Sequence, residues 1–317
     1  MNIVFFGSGD FAAAHLNRLL VSGHRVVGCV TKADKPQGRG LRMVLSPVKE
    51  TALANGIAHL QPETLKDPPV VERLKAFGAD VFVVVAYGKI LPAQVLSIPK
   101  IFCVNVHGSL LPKYRGAAPI NWAIVNGEQK TGVTVMKMTV PMDAGDVIAQ
   151  EMMDIGPQMT SVELRAAMAR RGAELLDKTL DTIEQGKHKL TPQDHAQVTF
   201  APKLTKEMGK ITWSRTAVDI DHQIRGLQPW PGAYAFHQGK MIKILKATIS
   251  GPPTKTFGGD SFEGQPGQVL AVDKAGIAVA CGQGALVLQE VLPEAGKPMS
   301  AVAFAAGHRI AAGTILN

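Results

Sequence analysis

Apolar residues in the first half of the chain arrive in short continuous runs, not in strict alternation with polar ones. NIVFF (2–6), RVVGCVT (25–31), DVFVVVA (80–86), FCVNVH (102–107) and TGVTVMKM (131–138) are rich in β-branched and aromatic side chains. Such runs fit strands buried on both faces, as in a parallel sheet. Between them lie segments of helical length and amphipathic spacing, near 11–22, 47–55, 68–77 and 117–126, and Ser46-Pro47 makes a cap and first turn for the second. Strand and helix patterns that alternate in this way predict βαβ units and a doubly wound, mostly parallel α/β sheet. A long amphipathic helix over 160–186 completes a first domain, 1–186.

Beyond residue 186 the pattern loosens. GKHKLTPQDHAQVTFAPKLTKEMGK is polar and irregular, which places a linker over 187–205. From 206 to 317 short strands alternate with Gly/Pro turns, at KMIKILKATI, GQVLAVD, GIAVAC and ALVLQEV, and predict a small β-barrel. A length of 317 residues agrees with two domains at ~100–200 residues each. No internal repeat is present, and the one biased tract is SGPPTKTFGGDSFEGQPG.

Composition narrows the class. With 46% hydrophobic and 19% charged residues the chain can bury a sizeable core, which argues against disorder. No stretch is apolar enough to span a membrane, and MNIVFFGSGD lacks the basic flank of a secretory signal, so a soluble cytosolic protein is expected. Cys29, Cys103 and Cys281 are too far apart for a zinc site or a disulfide framework and read as buried thiols. The net charge of +8 attracts polyanions, although it equally suits a merely soluble surface. Its distribution says more. The segment 32–49 holds Lys32, Lys35, Arg39, Arg42 and Lys49 against one acid, Asp34, with Gly38 and Gly40 around Arg39. A flexible loop of this kind can reach phosphates; the alternative is a solvated surface loop. A second stretch, 222–259, is free of acids and carries Arg225, Lys240, Lys243, Lys246 and Lys255. Trp230, between two prolines, could stack on bases, but the simpler expectation is a core residue at a domain junction.

Two motifs carry candidate chemistry. Gly7-Ser-Gly9-Asp-Phe-Ala12 follows a strand and opens a helix, as in dinucleotide-binding folds. The second strand, however, ends Val30-Thr31-Lys32 without the acid that would hold a ribose, so a tight turn with backbone close to a helix is the better reading. The other motif is NVHGSLLPKYRGAAP at 105–119. Residues two apart on a strand share a face, so Asn105 and His107 project together, into the ligand crevice if this strand ends at the carboxyl edge of the sheet. An amide and an imidazole offer hydrogen bonds to an oxygen gaining negative charge, and the imidazole can move a proton. That suits attack on a carbonyl. No G-x-S-x-G elbow or evident nucleophilic Ser or Cys is near, which favours direct transfer over a covalent intermediate.

Taken with VVVAYGKILP (83–92) and PMDAGDVI (141–148), this stretch resembles the folate-dependent formyltransferases over essentially the whole chain, most weakly in the last hundred residues. The resemblance implies a Rossmann-like formyltransferase core with an OB-like second domain, 10-formyltetrahydrofolate as cosubstrate and no metal. It implies Asn105, His107 and Asp143 as the catalytic set, with Asp146 as a rival carboxylate. It also implies donor contacts at Ser109, Leu110, Leu111 and Pro112, and at the backbone around Ala86, Tyr87, Gly88 and Ile90. Within the family, the basic insertion and the second domain resemble those members that formylate initiator methionyl-tRNA. Lys35, Arg39, Arg42 and Lys49 would then face tRNA, the second domain would also bind it, and a monomer is expected. Glycinamide ribonucleotide or sugar-nucleotide formylation, a nicotinamide dehydrogenase and a non-catalytic tRNA-binding module are the competing readings.

Overall fold

The computed structural model describes residues 1–37, 42–250 and 264–317. Two compact units emerge: Met1–Pro119, Lys130–Asp154 and Leu164–Pro202 form the first, and Ile120–Gln129, Ile155–Glu163 and Lys203–Asn317 the second. The first contains β1 (Asn2–Gly7), α1 (Asp10–Leu20), β2 (Arg25–Val30), β3 (Lys35–Gln37), β4 (Arg42–Val44), α2 (Pro47–Ala54), β5 (His59–Leu60), α3 (Pro68–Ala76), β6 (Val81–Val85), α4 (Ala93–Leu96), β7 (Phe102–His107), β8 (Arg115–Gly116), β9 (Lys130–Lys137), β10 (Val147–Asp154) and β11 (Phe200–Ala201). Helix α5 (Pro119–Val125) follows β8, and the 24-residue α6 (Ser161–Glu184) follows β10.

The main sheet runs β10-β9-β7-β6-β1-β2-β5. The five strands from β5 to β7 are parallel, whereas β9 is antiparallel to β7 and β10 to β9. From β1 the chain first builds outward to β2 and β5, then returns to lay β6 on the other side of β1. This reversal opens a crevice at the carboxyl ends of β1 and β6, where open α/β sheets bind ligands. Both faces are covered. Val4, Phe6, Phe82 and Val84 pack with Val71 and Leu74 of α3, while Ile3 and Phe5, pointing the other way, are fully buried as well. That explains why the strands read as unbroken apolar runs. Strand β10 escaped the sequence pattern because its side chains are mostly half-buried or exposed, so no apolar run marks it.

The glycine turn after β1 is a packing device. A Cβ at Gly7 would lie 2.6 Å from the Ala12 Cβ and 2.7 Å from the Phe5 ring, so α1 can start there only above a glycine. The three cysteines are free and buried, and burial pushes Cys29 and Cys103 up to about 12 and Cys281 up to about 11. They stay protonated and inert.

Residues expected to form a linker are in part folded onto the first unit. Thr191 exchanges backbone hydrogen bonds with Val147, and β11 pairs in parallel with β8. Its last residue there is Pro202.

The second unit carries α7 (Ala217–Gly226), β12 (Ala233–His237), β13 (Lys240–Ile249), β14 (Val269–Asp273), β15 (Gly276–Ala280), β16 (Ala285–Pro293), β17 (Met299–Ser300) and α8 (Ala301–His308). Its strands form an antiparallel sheet, β12-β13-β16-β15-β14, with β17 on β16. Ile220 and Ile224 of α7 and Phe304 of α8 join Ile242, Ile244, Leu286 and Leu288 in one core. Trp230 is not part of it. The residue is 46% exposed, contrary to the expectation of a core residue, and Trp213 is the buried tryptophan of this unit.

Candidate active site

Strand β7 delivers Asn105 and His107 at its carboxyl end, on one face as the period of two requires. One N–H of the Asn105 amide donates to the Val84 carbonyl of neighbouring β6 at 3.0 Å. Among the described residues, the second N–H and the amide oxygen have no hydrogen-bond partner. His107 is buried, and its Nε2 lies 2.9 Å from the Tyr114 carbonyl. A carbonyl can only accept, so Nε2 carries hydrogen and Nδ1 is the ring nitrogen left for proton transfer. Nδ1 faces Oδ2 of Asp143 at 3.7 Å, slightly longer than a hydrogen bond, with the two side chains 7% and 12% exposed.

Asp143 is held there by its backbone surroundings. Its φ of +53° lies in the left-handed region, uncommon for any residue but glycine, and its Oδ2 accepts from the Gly116 N–H at 2.9 Å. Two residues on, a Cβ at Gly145 would collide with the Lys137 carbonyl oxygen of β9, so the turn lies flat on that strand. The Asp146 backbone carbonyl accepts from the Lys137 N–H at 2.9 Å, and its carboxylate makes no ion pair with His107 among the described residues. Of the two carboxylates only Asp143 reaches the imidazole.

A third side chain completes this arrangement and was not anticipated. Gln193 is buried; its Oε1 accepts from Nε and Nη2 of Arg115 at 3.1 and 2.7 Å, and its Nε2 donates to the carbonyls of Asp143 and Gly145 at 2.9 and 2.7 Å. A glutamine in a polar, irregular segment gives no local signal for such a role.

The chain as a whole, both units included, has close relatives. Residues 1–180 match the formyl transferase family and 203–309 its C-terminal domain. The chain belongs to the formyltransferase family. Over all 317 residues, and over the full length of each relative, it is 44% identical to the methionyl-tRNA formyltransferase of Alkaliphilus oremlandii and 42% identical to that of Acetivibrio thermocellus. Among solved structures, a sugar 3N-formyl transferase, WlaRD, superposes with a TM-score of 0.66 at 19% identity, covering 91% of this chain and 97% of that one. HypX from Aquifex aeolicus superposes with a TM-score of 0.65 at 18% identity, over 97% of this chain and 47% of its own. These two likenesses concern the fold.

In this formyltransferase the two segments named for the donor differ in character. At 109–112 most polar groups are already engaged: Ser109 Oγ donates to Lys113 O at 2.6 Å, Thr134 Oγ1 to Ser109 O at 2.6 Å, Leu111 N to Thr134 Oγ1 at 3.1 Å and Gln150 Nε2 to Leu111 O at 2.8 Å. Leu110 packs against the Gly132 position of β9, and Pro112 is half-buried. At 86–90 Tyr87 is the anchor, its ring buried edge-on against Phe6 at 5.6 Å, whereas Ala86, Gly88 and Ile90 are exposed, Ile90 to 76%. This second segment presents exposed backbone and an apolar side chain at the carboxyl end of β6.

The basic segment is partly a hairpin: β3 and β4 pair antiparallel, Lys35 opposite Val44 and Gln37 opposite Arg42. Arg39 and the side chains of Lys35 and Arg42 lie outside the described residues. Lys49 does not present a free charge. Its ammonium donates to Asp34 and to Gln61 Oε1 at 2.7 Å, and the Gln61 amide returns to Asp34 Oδ1 and Lys32 O, both at 2.8 Å. The hydrogen bond from Lys49 holds the Asp34 carboxyl below the usual range. Lys49, expected to face tRNA, is thus paired locally with Asp34 and Gln61 at the base of the hairpin.

Proposed function

We propose that this enzyme transfers the formyl group of 10-formyltetrahydrofolate to the free amino group of initiator methionyl-tRNA, with Asn105, His107 and Asp143 as its catalytic residues. The observation that carries the assignment of roles is the orientation of His107, with one nitrogen tied to the Tyr114 carbonyl and the other turned to Asp143. The amine attacks the formyl carbon, a carbon–nitrogen bond forms, and the carbonyl oxygen becomes an oxyanion. The free N–H of Asn105 is a donor to that oxygen. The proton lost by the amine passes to His107 Nδ1, directly or through water, and the resulting imidazolium is balanced by the Asp143 carboxylate. Collapse breaks the bond between the formyl carbon and the folate nitrogen, which takes up a proton and leaves as tetrahydrofolate.

Ala86, Gly88 and Ile90, with the backbone of Tyr87, form one side of the donor site, and the 109–112 turn forms the other. Exposed amides and carbonyls match the hydrogen-bonding edge of a pterin without charged side chains. Lys35, Arg39 and Arg42 contact the acceptor arm of the tRNA, and the second unit adds exposed Lys240 and Lys246 of β13. Among the described residues no helix is long and apolar enough to cross a membrane. An enzyme that acts on tRNA works in the cytoplasm, and a monomer suffices for the chemistry because all three catalytic residues come from one unit.

The test is formyl transfer from 10-formyltetrahydrofolate, with methionyl-tRNA, glycinamide ribonucleotide and an amino-sugar nucleotide as separate acceptors. Transfer to methionyl-tRNA alone is the expected result. Transfer to either small amine with none to methionyl-tRNA overturns the assignment.

A further inference from the structure

A buried guanidinium ordinarily finds a carboxylate, because removing its charge from water is costly. Arg115 is buried in β8, yet it takes part in no ion pair among the described residues. Two of its nitrogens converge on the amide oxygen of Gln193, 78 residues further along the chain. The other end of the same amide donates to Asp143 O and Gly145 O.

The four contacts fix the orientation of the amide, since its oxygen must face the guanidinium and its NH2 the two carbonyls. Only an amide accepts at one end and donates twice at the other. Glutamate would satisfy Arg115 and then set a carboxylate oxygen against two carbonyl oxygens. The carbonyls in question belong to the turn that keeps Asp143 at a φ of +53°, a backbone conformation that persists only where its surroundings hold it. Arg115 is also the residue before Gly116, whose N–H binds the Asp143 carboxylate. Backbone and side chain of Asp143 are thus both tied to β8.

We infer that Gln193 is a positioning residue for formyl transfer, anchored by Arg115, and that it sets the placement of the Asp143 carboxylate against His107. This rests on the catalytic roles proposed above. Gln193 touches no reacting atom. A misplacement of about 1 Å in a catalytic group costs on the order of a hundredfold in rate, so the loss should appear in kcat with little change in substrate binding.

Four proteins are compared: wild type, Gln193→Ala, Asp143→Asn and the double variant, each in single turnover with excess enzyme and in steady state, alongside thermal melting. Wild-type transfer is established first, because its absence would refute the function itself and not the clamp. Gln193→Ala is expected to lower kcat by ~30–100-fold with KM for donor and tRNA within about threefold. In the Asp143→Asn background the same change is expected to add less than about threefold, because the residue it positions is already disabled. A full loss in both backgrounds would mark general structural damage and overturn the proposal, as would a Gln193→Ala enzyme within threefold of wild type. Should Gln193→Ala lose its cooperative melting transition, Gln193→Glu carries the test. It keeps the acceptor for Arg115 and the side-chain length, and the clamp requires it to be as slow as Gln193→Ala is expected to be. Wild-type turnover in Gln193→Glu would show that only Arg115 needs a partner there.

Discussion

Asp143→Asn isolates the contribution of one charge. Asparagine is nearly isosteric with aspartate, and its side-chain oxygen can still accept from Gly116 N, so the turn on β9 should keep its shape. What disappears is the negative charge 3.7 Å from His107 Nδ1. Two unit charges at that separation interact by about 4 kcal/mol at an effective dielectric of about 20 and by about 1 kcal/mol in water. For side chains 7% and 12% exposed, at the edge of a crevice, about 2–3 kcal/mol is the appropriate range. If the imidazole becomes fully charged only as the amine gives up its proton, that energy belongs to the transition state. Turnover should then fall by ~30–150-fold with KM little changed. The measurement is single-turnover formylation of methionyl-tRNA by wild type, Asp143→Asn and Asp146→Asn, the last expected within about threefold of wild type. An Asp143→Asn enzyme at wild-type speed, or a greater loss in Asp146→Asn, would refute this account of the site.

Asn105→Ala removes the free amide N–H assigned to the oxyanion and should reduce kcat by ~100-fold or more while leaving donor affinity, measured by folate titration, nearly unchanged. In kcat/KM for methionyl-tRNA across a salt series, Arg39→Ala and Arg42→Ala should each flatten the logarithmic slope by about one unit. Lys49→Ala should leave that slope alone and instead lower the melting temperature by about 2–4 °C, because its charge is spent on Asp34 and Gln61; slopes unchanged from wild type in both arginine variants would leave this basic segment without a tRNA role. Fully buried His15, with Nδ1 at 2.7 Å from Phe11 O, is pushed down to about 4 by burial from an ordinary value of 6.5. The unfolded chain therefore binds a proton that the folded one refuses between those values, so stability should fall by about 3 kcal/mol as pH drops from 6.5 to 4 and then level off. Urea titrations of wild type and His15→Leu at a series of pH values check this, since the variant should lack that decrement.

The sequence determined what depends on periodicity and on local chemistry. Strands β1, β2, β6, β7 and β9 were legible because a strand covered on both faces must be apolar at every position. The shared face of Asn105 and His107 followed from the same two-residue period, and the start of α2 followed from Ser46 and Pro47, where Ser46 Oγ accepts from Lys49 N at 3.2 Å. Tertiary structure decided what depends on partners distant in the chain. Strand β10, half-exposed and antiparallel, exists because β9 offers it an edge, and β11 because β8 does. The charge of Lys49 reads as free in a basic segment until Asp34 and Gln61 close around it. Which nitrogen of His107 remains for chemistry was set by the Tyr114 carbonyl, and the pose of Asp143 by Gly116 and Gln193. A hydrogen bond is worth about 1 kcal/mol and is satisfied by any donor of suitable geometry, so its energy leaves no imprint on neighbouring residues in the sequence; the partner is chosen only when the backbone has closed on itself.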